Sequence, residues 1–179
     1  MVEWQKLTPV EQLAVLQRPV VKGKADLTTT VASIIDDVKD DGDACLIKLA
    51  KKFDGVVLNN IKLSESQKQQ SLNMLTQERK AAIDLAYENI KTFHQAQVAE
   101  NLSIDTSQGV NCQLITKAIR SVGLYVPGGS APLPSTVLML GVPAQIAGCK
   151  NICLCTPPDS SENNYGSVTP EILYAAQLC

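Results

Sequence analysis

The residues best placed to do chemistry form one run, Ser121-Val122-Gly123-Leu124-Tyr125-Val126-Pro127-Gly128-Gly129-Ser130-Ala131-Pro132-Leu133-Pro134-Ser135-Thr136-Val137-Leu138-Met139-Leu140. An apolar strand ends in a proline and two glycines, prolines punctuate the loop, and Ser135-Thr136 then opens a helix. Gly128 and Gly129 can turn sharply and expose their amides. The helix N-terminus behind them adds orphan N–H donors and a positive dipole end, which suits phosphate or another anion. Ser130 is a neighbour by geometry only. The turn also lies at the carboxyl end of a strand, where open α/β sheets bind ligands. The pattern is not GxGxxG, because prolines occupy the loop, and it lacks the lysine of a P-loop. On the residues alone, a ligand-binding loop and a bare strand-to-helix turn both remain open.

Thiol and imidazole chemistry is the next question. Cysteines stand at Cys45, Cys112, Cys149, Cys153, Cys155 and Cys179, and only Cys149, Cys153 and Cys155 cluster. A zinc site would want a CxxC pair or partner histidines. The cluster has neither, and the single histidine, His94, is remote in sequence. Alternation across Asn151 to Thr156 reads these cysteines as small strand residues, which are often buried. No metal ligand is assigned. His94 follows Phe93 near the end of an amphipathic helix and is read as structural or at the solvent edge, so no catalytic residue is assigned either.

The elements that must position this run fall into two textures. Thr8-Pro9-Val10-Glu11 starts a short arm helix with a capping box, ended by Pro19. Leu27 to Lys39 predicts a second helix with Val31, Ile34, Ile35 and Val38 on one face. Asp43 caps a third, running to about Phe53 with Leu46, Leu49, Ala50 and Phe53 inward, until Asp54-Gly55 stops it. Ser64-Glu65-Ser66-Gln67 caps another. Thr76 caps a long one from Gln77 to about Gln97, with Ile83, Ala86, Ile90 and Phe93 inward and Asp84, Glu88, Lys91 and Gln95 facing water. From about Asn101 the texture changes: Val110 to Thr116 and Ala118 to Val126 read as strands. Asp159 to Ser167 reads as a mobile polar loop, and Thr169-Pro170-Glu171 starts a last, capped helix.

These elements predict an α/β fold: a helical N-terminal segment followed by the start of a Rossmann-like α/β domain, incomplete within this chain. The expected divisions are an arm helix over 1–20, a mainly helical part over 21–120, and the Rossmann-like start over 121–179. The strand at Ile152 to Cys155 is apolar on both faces, as strands inside a covered parallel sheet are. The last helix reaches Cys179 without a capping signal. Both features lead to the expectation of a longer fold.

Bulk composition narrows the partners. The formal net charge is −2 over 179 residues, and the basic residues are scattered, so no grip on nucleic acid or anionic lipid is expected. No apolar run has bilayer-spanning length and the N-terminus lacks signal-peptide character, so a cytoplasmic protein with reduced cysteines is expected. Aromatics are 4% of the chain, which makes the expected core aliphatic.

The run Val122-Gly123-Leu124-Tyr125-Val126-Pro127-Gly128-Gly129-Ser130 closely resembles the histidinol dehydrogenase family. So do its continuations through Pro134 to Met139, Val142 to Gly148, Cys155-Thr156-Pro157-Pro158 and Glu171 to Leu178. Gly42-Asp43-Ala44, Lys52-Phe53-Asp54 and Asn89 to His94 also fit, so the resemblance covers nearly the whole chain. The loop at 159–167 is longer than usual for the family. The resemblance implies a zinc-containing homodimer with exchanged terminal segments. Such an enzyme oxidises L-histidinol through L-histidinaldehyde to L-histidine in two NAD-dependent steps of histidine biosynthesis. It also implies that the zinc ligands and the Glu-His acid/base pair lie downstream of Cys179, so that residues 1–179 alone are expected to be inactive. It makes Tyr125 the tyrosine that contacts NAD, beside Gly128, Gly129 and Ser130. Two other readings remain: a non-catalytic helical interaction module, and a small nucleotide- or phosphate-binding protein built on the Gly128-Gly129 turn.

Overall fold

The computed structural model describes residues 3–17, 24–128, 132–162 and 164–179. The architecture is α/β, and the chain divides into two compact units, one ending at Gly42 and one beginning at Asp43.

The first unit holds a 3-10 turn (Trp4–Lys6), α1 (Pro9–Leu16) and α2 (Lys24–Asp41). The capping box at α1 is present: Thr8 Oγ1 accepts from the Glu11 amide at 3.4 Å, and Glu11 Oε2 accepts from the Thr8 amide at 2.8 Å. Pro19, expected to end α1, lies outside the described residues. The apolar stripe of α2 has helical spacing, yet Val31 and Ile35 are exposed, as are Leu13 and Leu16 of α1.

The second unit begins with α3 (Asp43–Leu49), which widens into a π-helical turn (Ala50–Asp54) and stops at Gly55 with φ 71°. That turn corrects one expectation. Cys45 and Ala50 face inward, whereas Phe53 is exposed, with Lys52 Nζ lying 5.1 Å from its ring centroid. A π turn takes more residues than an α turn, so Phe53 rotates off the buried face. Helices α4 (Glu65–Asn73) and α5 (Gln77–Gln95) start at the expected caps, Ser64 and Thr76. On α5, Phe93 is exposed and Tyr87 instead packs against the core. Asp84, expected in water, accepts a 2.9 Å bond from the Tyr174 hydroxyl.

Strands β1 (Leu102–Ser107) and β2 (Val110–Leu114) pair as an antiparallel hairpin exposed on both faces; β1 had no counterpart in the sequence reading. Strand β3 (Ser121–Tyr125) starts later than its pattern suggested. It pairs in parallel with β4 (Asn151–Cys155), from Ser121 opposite Asn151 to Tyr125 opposite Cys155. Helix α6 (Pro134–Ile146) makes the crossover and α7 (Pro170–Leu178) follows β4.

The core is aliphatic. Val126, Val137, Leu138, Val142, Ile172 and Ala175 pack with Leu75 and Ile83. One face of the β3–β4 pair, Val122, Leu124, Ile152 and Leu154, is half-buried on that side. The other face is exposed, so the two-sided burial expected for β4 is not reached within this chain. The expectation of small, buried strand cysteines is corrected by the same geometry: Cys153 and Cys155 lie on the open face.

In the segment expected to be mobile, residues 159–162 and 164–167 are tied down. The Asp159 amide donates to Ser167 O at 2.8 Å and the Gly166 amide to Asp159 O at 2.9 Å. Asn164 accepts from the Ser71 hydroxyl at 2.8 Å, and the Tyr165 hydroxyl accepts from the Val57 amide at 3.0 Å. Polar composition suggested disorder here. Those polar groups instead satisfy one another and the buried Ser71.

Candidate functional site

The carboxyl ends of β3 and β4 open onto a cavity of about 710 Å³, within the range of small-molecule and cofactor sites. Tyr125, Pro127 and Gly128 reach it from the end of β3, and Thr156, Pro157 and Pro158 from the end of β4. Two carboxylates, Asp54 and Asp159, share its wall with Ser161. Thr169 and Ile172, at the start of α7, close it on another side.

The fold brings Tyr125 and Gly128 to this cavity; Gly129 and Ser130 lie outside the described residues. Tyr125 is 62% exposed, so its ring is available to pack on a bound molecule. Gly128 has a packing role besides the turn expected of it. It is absent from the glycines with positive φ, but a Cβ there would sit 3.2 Å from the Cβ of Pro157. The missing side chain therefore lets the turns after β3 and β4 approach closely.

The two helix starts near the cavity turn out differently. Helix α6 opens as expected, at Pro134 with Ser135 and Thr136 in its first turn, behind Leu133 and without a side-chain cap. At α7, Thr169 was read as a capping residue, but its Oγ1 is buried without a hydrogen-bond partner. Leaving a buried hydroxyl unbonded carries a desolvation cost.

Asp159 is the most tightly arranged polar group in the wall. Its Oδ1 accepts from the Ser161 amide at 2.8 Å and its Oδ2 from Asn164 Nδ2 at 3.1 Å. Partial burial pulls its pKa up, but the bonds from the Ser161 backbone, Asn164 and the Ser161 side chain outweigh that and hold it below the ordinary carboxyl value. A depressed carboxyl stabilises the fold above its unfolded pKa, about 3.9, and that contribution is lost as pH falls through the native value. Wild type should therefore exceed Asp159→Asn in stability at neutral pH. In acid titration followed by circular dichroism, the gap should close below about pH 4. A gap independent of pH would contradict an ionised Asp159.

Asp54, Asp159, Ser161 and Thr169 were not found by sequence reasoning. Asp54 comes from a separate helical segment, and only the three-dimensional fold brings it here. Asp159 carried a signal, its place just past a strand end in Thr156-Pro157-Pro158-Asp159.

His94 is not among the residues lining the cavity. Its Nδ1 lies 2.8 Å from Gln97 Oε1 and its ring packs edge-on against Phe93. Among the described residues, no group of three or more His, Cys, Asp or Glu is placed to hold a metal ion. The thiol of Cys155 is pushed up by burial and by the neighbouring Cys153. No helix among the described residues is long and apolar enough to cross a membrane.

The family model described as histidinol dehydrogenase matches residues 17–179. The chain belongs to the histidinol dehydrogenase family. It is similar to a histidinol dehydrogenase of Colwellia psychrerythraea, at 47% identity over 100% of this chain and 40% of the relative. A second relative, from Photobacterium profundum, is 48% identical over 99% of this chain and 38% of its own length. The crystal structure of histidinol dehydrogenase from Elizabethkingia anophelis superposes with a TM-score of 0.86 at 44% identity, covering 96% of this chain and 39% of that one. The chain thus spans about 40% of the length of the histidinol dehydrogenases it matches.

Proposed function

We propose that this chain is the nucleotide-facing part of an NAD-dependent histidinol dehydrogenase of the cytoplasm. That enzyme, a homodimer, would oxidise L-histidinol through L-histidinaldehyde to L-histidine. The observation that carries this reading is the cavity at the carboxyl ends of two parallel strands, edged by Tyr125 and Gly128, in a chain of this family. Ligands of open α/β sheets bind at that place.

The residues present suit a nucleotide. An exposed tyrosine ring can pack on a nicotinamide or ribose while its hydroxyl bonds a sugar or phosphate oxygen. The close approach at Gly128 and the unbonded Thr169 hydroxyl give a narrow, polar wall. NAD, when bound, supplies the hydride acceptor. The residues present do not suit zinc, for which this chain groups no ligands among its described residues. In this reading the zinc ligands and the Glu-His pair come from outside residues 1–179. The division of labour is then clear: these residues bind and orient the nucleotide, and the proton transfers belong elsewhere.

The first measurement is the intact mass of the native protein in its source cells. A mass well above the chain's 19.3 kDa supports a longer dehydrogenase, and a mass of 19.3 kDa favours a binding module instead. Calorimetry with NAD then tests the site. Tyr125→Ala should weaken binding about tenfold, the scale of a lost aromatic contact near 1.4 kcal/mol. Tyr125→Phe should keep the ring's part of that. A wild-type protein that does not bind NAD would remove the nucleotide reading. NADH formation from histidinol by residues 1–179 with zinc would overturn their expected inactivity.

A further inference from the structure

We infer that Cys153 and Cys155 form a two-thiol site that chelates trivalent arsenic carrying one organic group. The inference is independent of the nucleotide reading of the cavity.

The first argument is placement. Residues two apart in a strand point to the same face. Cys153 and Cys155 do so in β4, and both are exposed on the face that stays open in this chain. Gly123 stands opposite Cys153 and Tyr125 opposite Cys155 in the parallel register. A Cβ built on Gly123 would meet nothing within 4 Å, so the space beside Cys153 can hold a ligand. No other two of the six cysteines are two residues apart in the chain.

The second argument is span. The rise of a strand puts two such Cα atoms about 6.6 Å apart. Disulfides usually join Cα atoms about 4.4–6.8 Å apart, so a direct S–S bond would stand at the limit of that reach. One atom set between the sulfurs replaces a single bond by two and relaxes the demand. The thiols are near neighbours: besides burial, the Cys153 side chain pushes the Cys155 thiol up.

The third argument is coordination. Thiolates are soft ligands. Among the described residues no third His, Cys, Asp or Glu joins the pair to hold a metal ion, so zinc, which takes four ligands in a structural site, is not served. Arsenic that already carries an organic group needs only two more ligands. A raised thiol is also a poor thiolate at neutral pH, which disfavours oxidation by peroxide but not this exchange. Each thiol gives its proton to the oxygen on arsenic, two As–S bonds form, the arsenic–oxygen bond breaks and one water leaves. Nothing is oxidised or reduced.

The test adds phenylarsine oxide to the chain and reads the adduct by intact mass, first in excess mercaptoethanol and then in excess ethanedithiol. A single thiol gives its arsenic up to the monothiol, whereas a chelating pair yields it only to the dithiol. The unaltered chain should keep one arsenical in the monothiol and lose it to the dithiol. Cys153→Ser and Cys155→Ser should each weaken that retention about hundredfold, the lower end of the gain from linking two binding groups. Cys112→Ser and Cys149→Ser should leave it unchanged. An adduct that the unaltered chain loses to the monothiol overturns the inference, and that comparison needs no variant. Full retention in Cys153→Ser or Cys155→Ser overturns it too. Loss of retention in a folded Cys149→Ser would place the arsenic elsewhere in the cysteine cluster and overturn the assignment to this pair.

Discussion

Leu138→Ala should lower the stability of the second unit by about 3.5 kcal/mol, the middle of the range for buried leucines. Leu138 is 1% exposed and sits among Val137, Val142, Ile172 and Ala175, where α6 meets α5 and α7. The cost has two parts, the lost transfer of the side chain and the cavity left behind. Collapse into that cavity is restricted because α6 is held closely along its length. A Cβ on Gly141, for example, would come within 2.7 Å of Cys179 Sγ. Urea unfolding followed by circular dichroism should show a lower midpoint with an unchanged slope. Leu140, on the exposed side of the same helix at 37%, should lose about 1 kcal/mol or less on the same change, since surface substitutions cost little. Equal losses at the two positions would contradict this account of the core.

The helix starts were legible because their signals are local. Thr8 with Glu11, Ser64 with Gln67, and Thr76 each act across a few residues, and the bonds they imply are present. The turn after β3 was legible for a similar reason: a strand ending in Pro127-Gly128 advertises itself. What Gly128 does there was not legible, because its neighbour Pro157 belongs to another turn. The role of Tyr125 came from family resemblance, since a strand tyrosine alone does not name its contact.

Features that depend on distant partners were hidden. Phe53 has helical spacing, but a π turn moved it to solvent. Asp84 has the look of a surface residue until Tyr174, 90 residues along the chain, bonds it. The segment around Asn164 is polar enough to suggest disorder, yet its order depends on Ser71, 93 residues earlier. Only the fold brings Asp54 and Asp159 to one cavity, so a scan for local motifs could not pair them.

The contact between Ser71 and the loop gives the second large effect. Ser71→Ala should cost about 2 kcal/mol, because it removes the hydroxyl and leaves its buried partners unbonded. The Ser71 hydroxyl, 1% exposed, lies 2.8 Å from Asn164 Oδ1, 3.2 Å from Ser167 Oγ and 3.1 Å from Val168 O. Asn164 and Ser167 are themselves buried, so water cannot readily replace the lost partner. The damage should be local first. Asn164 would be free to release Asp159, and the amides of Asp159, Ser161 and Gly166 should exchange with solvent markedly faster than in wild type. The amide of Ile83, in the middle of α5, should slow or quicken only with global stability. Ser71→Thr, which keeps the hydroxyl, should restore slow loop exchange if the added methyl fits. Uniform acceleration across α5 and the loop would mean that Ser71 supports the core as a whole. Acceleration confined to the loop would make it the residue that holds the Asp159 wall of the cavity in place.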